Sequence, residues 1–212
     1  MEIIKINPQN PEIEIIQEAV NIIKQGGTIV CPTDTVYILG VDALRPDAIE
    51  RLFKIKKRPL AKPAPIFIRD IEMAKKLAFI DRKREKFLAV VWPGPITVVL
   101  EKRSIVPDIL TANKRTVGLR IADYLVIQLL MEQLNTPLTA TSANLSGQSP
   151  LICAEEITRI FQKNYPRPDL ILDAGCLAPS PASTVLDLTG SRPKILRVGP
   201  VSKKDRLKFL EM

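Results

Sequence analysis

Leu138-Thr-Ala-Thr-Ser-Ala-Asn-Leu-Ser-Gly147 decides how this chain is read. An apolar run from Leu134 to Thr139, interrupted by Pro137, gives way to small and hydroxylated residues and closes on Gly147. That is the pattern of a buried strand running out into a loop. Gly147 can take a positive φ and close a tight turn. Thr139, Thr141, Ser142 and Ser146 offer hydroxyls and Asn144 a carboxamide. Small side chains let backbone N–H groups approach phosphate or ribose oxygens. The same residues can equally brace a turn with their own side chains, so the loop must be weighed with its neighbours.

Upstream, Thr28-Ile-Val-Cys31 reads as a second buried strand, and Pro32 ends it. Thr33, Asp34 and Thr35 then deliver polar side chains at its carboxyl end, where ligands sit in open α/β sheets. The spacing predicts a helix after an Asn10 cap, buried through Ile16, Ala19, Val20 and Ile23. A further helix over 46–57 runs into the proline-stiffened basic loop Lys56-Lys-Arg-Pro-Leu-Ala-Lys-Pro63. There Arg58 suits a bidentate contact to phosphate and Lys56 a point charge. Strands are expected at 64–68, 96–100 and 116–121, with helices over 70–77, 81–91 and 121–134, the last capped by Asp123. Trp92 is expected to anchor packing beside the Pro93-Gly-Pro95 turn. Arg120 lies among apolar residues, so it needs an anionic partner, whether a ligand or a structural carboxylate. Beyond the opening stretch come a helix over 153–163, a strand over 169–173 and a loop over 174–182. Strands opening at Ser183 and Ile195, the second holding Arg197, precede a basic helix over 201–212.

This alternation implies an α/β fold in a single domain over residues 1–212, with one twisted mixed sheet flanked by helices. At 46% hydrophobic and 25% charged, the chain can bury a sizeable core. No apolar run is long enough for a membrane span and the N-terminus lacks a secretory signal, so no membrane partner and a cytoplasmic location are expected. Asn144-Leu-Ser146 is accordingly not read as a glycosylation site. Cys31, Cys153 and Cys176 are scattered and odd in number, which argues against both a disulfide and a zinc site. The chain has no histidine, which removes Ser–His–Asp and Cys–His chemistry. A net charge of +8 points to anionic partners, either a polyphosphate or nucleic acid. There is no P-loop and no dinucleotide fingerprint. Cations and hydroxyls at strand ends suit charge stabilisation at a phosphoryl centre.

In order, Pro32-Thr-Asp-Thr-Val-Tyr37, Lys56-Lys-Arg-Pro59, Trp92-Pro-Gly-Pro-Ile-Thr97, Val117-Gly-Leu-Arg120, Ser142-Ala-Asn-Leu-Ser-Gly147, Ser183-Thr-Val-Leu-Asp187 and Leu196-Arg-Val-Gly199 resemble the YrdC-like threonylcarbamoyl-adenylate synthases. The resemblance implies a YrdC-like sheet with a basic concave face. It also implies synthesis of threonylcarbamoyl-adenylate and pyrophosphate from L-threonine, bicarbonate and ATP. Mg²⁺ would be brought with ATP, and no cofactor would be permanently bound. The product would serve the threonylcarbamoyl modification of tRNA adenosine 37, through threonylcarbamoyl-transferase proteins downstream. By the same likeness Lys56 and Arg58 are catalytic, and Lys56, Arg58, Thr116, Ser142, Asn144 and Arg197 contact ATP. Thr35, Arg120 and Ser183 would hold threonine, and the likeness implies no metal-ligating residue. Three positions depart from the usual pattern: Ile38 for glycine, Lys62 for asparagine, and Phe67 for histidine. Phe67 leaves the threonine side to Thr35 and Arg120. The competing expectation is an RNA-binding paralogue without synthase activity, contacting tRNA or double-stranded RNA. Aromatic residues make up only 5% and do not interleave with the cations as single-strand binders require.

Overall fold

Val-, Ile- and Leu-rich runs bounded by turn residues supply most of the strands, since branched side chains pack well on a pleated surface. The computed structural model describes residues 1–211. Its first sheet runs β1 (Glu2–Lys5), β9 (Leu170–Asp173), β2 (Ile29–Cys31), β3 (Ile38–Gly40), β8 (Thr141–Ser142). The second runs β11 (Lys194–Arg197), β10 (Thr184–Asp187), β5 (Ile96–Glu101), β6 (Thr116–Arg120), β4 (Ile66–Phe67), β7 (Leu138–Thr139). Both mix parallel and antiparallel pairs, as expected. The single sheet is corrected to two. The opening stretch explains the error, because the chain leaves one sheet as β7 and enters the other as β8 across Ala140 alone. The Ala140 N–H donates to Pro65 O at 2.8 Å. The Thr139 hydroxyl accepts from Val41 N at 3.0 Å and donates to Leu39 O at 3.2 Å, so that hydroxyl is spent on backbone. Hydrophobic alternation marks a run as extended and buried; it does not name its partner strand.

Three helices start where their caps dictate. Asp70 and Asp81 accept from Met73 N and Arg84 N, each at 2.7 Å, and open α3 (Ile71–Leu77) and α4 (Arg82–Val91). Pro46 opens α2 (Pro46–Lys56), which Lys57 ends in the left-handed region at φ 50°. Two helices start later than expected. Helix α1 (Ile13–Lys24) follows Glu12 rather than Asn10, with the predicted stripe buried. Helix α6 (Leu125–Leu134) begins after Tyr124, and Asp123 caps nothing. Its first expected turn stays extended because Ile121 O accepts from Gly94 N at 2.9 Å. Helices α5 (Asp108–Thr111), α7 (Ala154–Gln162) and α8 (Lys203–Glu211) complete the set. Trp92 is buried and donates Nε1–H to Ile96 O at 2.8 Å, which makes it the anchor expected. No helix among the described residues is long and apolar enough to cross a membrane.

The cysteine expectation is also corrected. Cys153 and Cys176 form a disulfide with Cα atoms 4.0 Å apart, and Cys31 stays free and buried. Helix α7 and strand β9 carry the chain out and back between them, so backbone pairing across Ile152–Leu177 and Ala154–Gly175 brings the two together. A separation of 23 residues reveals none of this. Closing a loop of that length is worth about 3 kcal/mol, mostly through the unfolded chain. Reduction, or Cys153→Ser, is therefore expected to lower the melting temperature by several degrees. An unchanged melt with and without reductant would show that the bridge does not form in solution.

Candidate functional site

The registers put alternate residues of the second sheet on one face. Val185 pairs with Thr97, Asp187 with Val99, Val99 with Gly118, Phe67 with Arg120, and Val185 with Arg197. Side chains two apart on a strand share a face, so these residues line a continuous track. Two adjoining hollows lie on it. The smaller, about 150 Å³, sits where this face meets the β3–β8 edge of the first sheet. Its walls include Thr35, Ile38, Phe67, Thr97, Arg120, Thr141, Ser142 and Ser183. The larger, about 430 Å³, runs along the track past Thr116, Gly118, Lys114 and Asp187. Arg58, Pro65, Thr97 and Arg197 border both. Gly118 keeps the floor low: a Cβ there would come within 3.2 Å of the Thr97 methyl and 3.3 Å of Pro65.

Arg120 ends β6 and is only 4% exposed. Its Nε donates to Gly94 O at 2.9 Å and its Nη2 to both Asp34 oxygens at 2.6 and 2.5 Å. Nη1 reaches Thr35 Oγ1 at 3.4 Å and keeps one N–H without an acceptor among the described residues, and Arg120 lines the smaller hollow. Of the two anionic partners weighed from sequence, the structure supplies the carboxylate, Asp34. Burial raises the Asp34 pKa against the pull of Arg120, and burial likewise lowers that of Arg120 against Asp34. Each charge depends on the other. Thr33 differs from its neighbours: its hydroxyl accepts from Thr35 N and Val36 N and donates to Val36 O, closing the turn that aims Thr35.

Arg58 and Arg197 are braced by backbone. Arg58 donates to Lys62 O at 3.1 Å and Pro63 O at 2.6 Å, and Arg197 to Ser183 O at 2.9 Å and Ser183 Oγ at 3.1 Å. Burial draws both pKa values down, but a guanidinium remains charged. Ser183 Oγ also meets Thr97 Oγ1 at 2.9 Å. Thr116 lines the larger hollow and Ser142 the smaller.

Lys56 and Asn144 are placed differently from the expectation of direct nucleotide contact. Lys56, 2% exposed, points behind the wall and gives its ammonium to Ser142 O, Asn144 O at 2.9 Å and Asn144 Oδ1 at 2.8 Å. Asn144 Oδ1 also accepts from Ser142 Oγ at 2.5 Å, and its Nδ2 donates to Leu145 O and Gln148 O. Neither side chain borders a hollow. Of the Lys-x-Arg and Ser-x-Asn pairs, one member of each faces the hollows while the other locks the loop. Desolvation, with the Arg58 charge adding to it, pulls the Lys56 pKa down to about 7. Lys56→Met is expected to leave the Ser142 and Asn144 oxygens without the ammonium donor and cost about 3 kcal/mol. The predicted readout is a lower denaturation midpoint together with faster amide exchange across 142–148. Unchanged exchange there would refute the lock.

Sequence reasoning missed Asp34 as the Arg120 partner, Thr97 as a shared wall and Asp187 on the wall of the larger hollow. All three lie inside quoted motifs, but only the registers put them on one face.

A model of the Sua5/YciO/YrdC family, described as telomere recombination, matches residues 21–199. Threonylcarbamoyl-AMP synthase of Pyrococcus abyssi is 36% identical over 185 residues, covering 87% of this chain and 54% of that protein. The chain thus spans about half the length of that relative. The uncharacterized protein YciO of Escherichia coli is 34% identical over 196 residues, 92% of this chain and 93% of its own length. Among solved structures, P. abyssi Sua5 complexed with L-threonine superposes with a TM-score of 0.91 at 33% identity, over 99% of this chain and 61% of that one. E. coli YciO gives 0.86 at 32% identity, over 96% and 98%.

Proposed function

The chain belongs to the Sua5/YciO/YrdC family, and from that premise we propose that it is an L-threonylcarbamoyladenylate synthase acting on L-threonine, bicarbonate and ATP. One observation carries the reading: two hollows on one sheet face share Arg58 and Arg197, and the smaller ends at Arg120. The smaller would take threonine, its carboxylate on the free Arg120 N–H and Thr35, with Ser183 alongside. The larger would take the nucleotide, with Thr116 on its wall and the α-phosphate at the shared border. Condensation of the amino group with bicarbonate gives a carbamate and water. A carbamate oxygen then attacks the α-phosphorus and pyrophosphate leaves. Charge builds between Arg58 and Arg197, whose braced guanidiniums need no reorganisation to meet it. Such a step runs on positioning and fixed charge, so a chain without histidine can perform it.

Mg²⁺ would enter as part of the nucleotide substrate. Guanidinium, ammonium and hydroxyl groups with, among the described residues, the single carboxylate Asp187 fit phosphate oxygens better than a resident divalent ion. The basic face would be the wall formed by Arg58, Arg120, Arg197 and Lys114. Lys56 and Asn144 would act by positioning Ser142. Transfer to tRNA adenosine 37 would need a further threonylcarbamoyl-transferase. Pyrophosphate release is expected only when threonine, bicarbonate and ATP are all present. Release that ignores threonine would reject the synthase, and no release at all would reject it and favour the RNA-binding reading.

A further inference from the structure

We propose that Asp187 reads the 6-amino group of the purine, making it the residue that selects an adenine nucleotide over a 6-oxo one. This rests on the synthase reading and goes beyond it. Among the described residues Asp187 is the only carboxylate bordering the larger hollow, which otherwise carries Arg58, Arg197 and Lys114. A carboxylate there repels phosphate, so it fixes the direction in which a nucleotide lies. Phosphates go to the Arg58–Arg197 end and the base to the Asp187 end.

Geometry favours the base over the ribose. Arg197 is fastened to Ser183 through Nε and Nη2, and Asp187 lies four residues further along the same run. From Ser183 to Asp187 that is roughly 13 Å at strand rise, while the Arg197 backbone itself stands opposite Val185, two residues from Asp187. Such a span matches the reach from the cation holding an α-phosphate to the exocyclic edge of a purine; the ribose hydroxyls lie much nearer the phosphate. The carboxylate is also held ready. Asp187 Oδ1 accepts from Thr189 N at 2.9 Å and Thr189 Oγ1 at 2.7 Å, which fixes the rotamer. Among the described residues its Oδ2 has no such donor, so it can accept from an amino group. Gly118, level with Val99 and Asp187 across the sheet, also borders this hollow, with Thr97 and Pro65 closed over its backbone.

The test compares ATP with inosine triphosphate, which differ in carrying an amino or an oxo group at position 6. Isothermal titration in the presence of Mg²⁺ gives each affinity for the wild type and for Asp187→Asn. Asparagine keeps the acceptor that Thr189 needs, so the turn should persist, and threonine binding by the variant checks that the fold is intact. The wild type should prefer ATP by about tenfold or more, as expected for a hydrogen bond to a charged group. In Asp187→Asn that preference should fall to about threefold or less, because a carboxamide can also donate to a 6-oxo group. A wild type that binds ATP and inosine triphosphate alike overturns the proposal and leaves the synthase reading standing. So does a variant that keeps the full preference. A variant that loses instead the preference for ATP over 2′-deoxy-ATP assigns Asp187 to the ribose and equally overturns it. A wild type that binds no nucleotide sinks both readings together.

Discussion

Arg120→Ala is expected to lower the stability of the protein by about 3–5 kcal/mol and to abolish threonine binding. The first effect follows from what the substitution leaves behind. Asp34 keeps both carboxylate oxygens facing a vanished guanidinium, in a place where burial already raises its pKa. Gly94 O loses its donor as well. In a chain of this size the melting temperature should drop by roughly 10 °C or more. The second effect has a separate origin, the loss of the one N–H without an acceptor among the described residues. A second substitution separates the two. Asp34→Asn added to Arg120→Ala removes the stranded charge and should recover most of the lost stability, while threonine still fails to bind. If Arg120→Ala melted within a degree or two of the wild type, the pair would not be the buried structural unit described. If the double variant regained threonine binding, Arg120 would have no part in holding the amino acid.

Arg58→Ala and Arg197→Ala form the second case, with the balance reversed. Their donors go to exposed or half-buried backbone oxygens that water can satisfy, so each should cost only about 1 kcal/mol of stability. Pyrophosphate release should nevertheless fall by about 100- to 1000-fold for each, the usual cost of deleting one fixed donor aimed at developing charge. Because both residues stand where the hollows join, the loss should appear in kcat more than in the affinity for threonine. Lysine should not restore the rate at either site, since a point charge cannot brace itself on two oxygens and still face the phosphate. A fall of less than tenfold in either alanine variant would remove that arginine from the reaction.

The contrast between these cases shows how far the chain could be read in advance. The alternation of apolar runs with helical stripes was enough for the α/β class, the helices opening at Asp70 and Asp81, and the buried face of α1. Those features depend on local hydrogen bonds and on side chains within one turn or one pleat, which sequence spacing encodes directly. Absence of histidine and the excess of cations narrowed the chemistry before any geometry was known. Arg58, Arg120, Ser142, Ser183, Thr35, Thr116 and Arg197 were named from their motifs, and all of them border the hollows. The two-sheet architecture was not legible, because β7 and β8 are one extended run whose partners lie far away in sequence. The Cys153–Cys176 bridge stayed hidden for the same reason.

By itself, then, the sequence determined which residues are polar at strand ends and which faces are buried, since both follow from local covalent order. The tertiary structure alone decided what each polar group is for. It turned Lys56 and Asn144 inward to hold a loop, paired Arg120 with Asp34, and brought Asp187 to the wall of the larger hollow. The physical reason is strand register: a shift of one residue moves a side chain to the opposite face, and only long-range pairing fixes that shift.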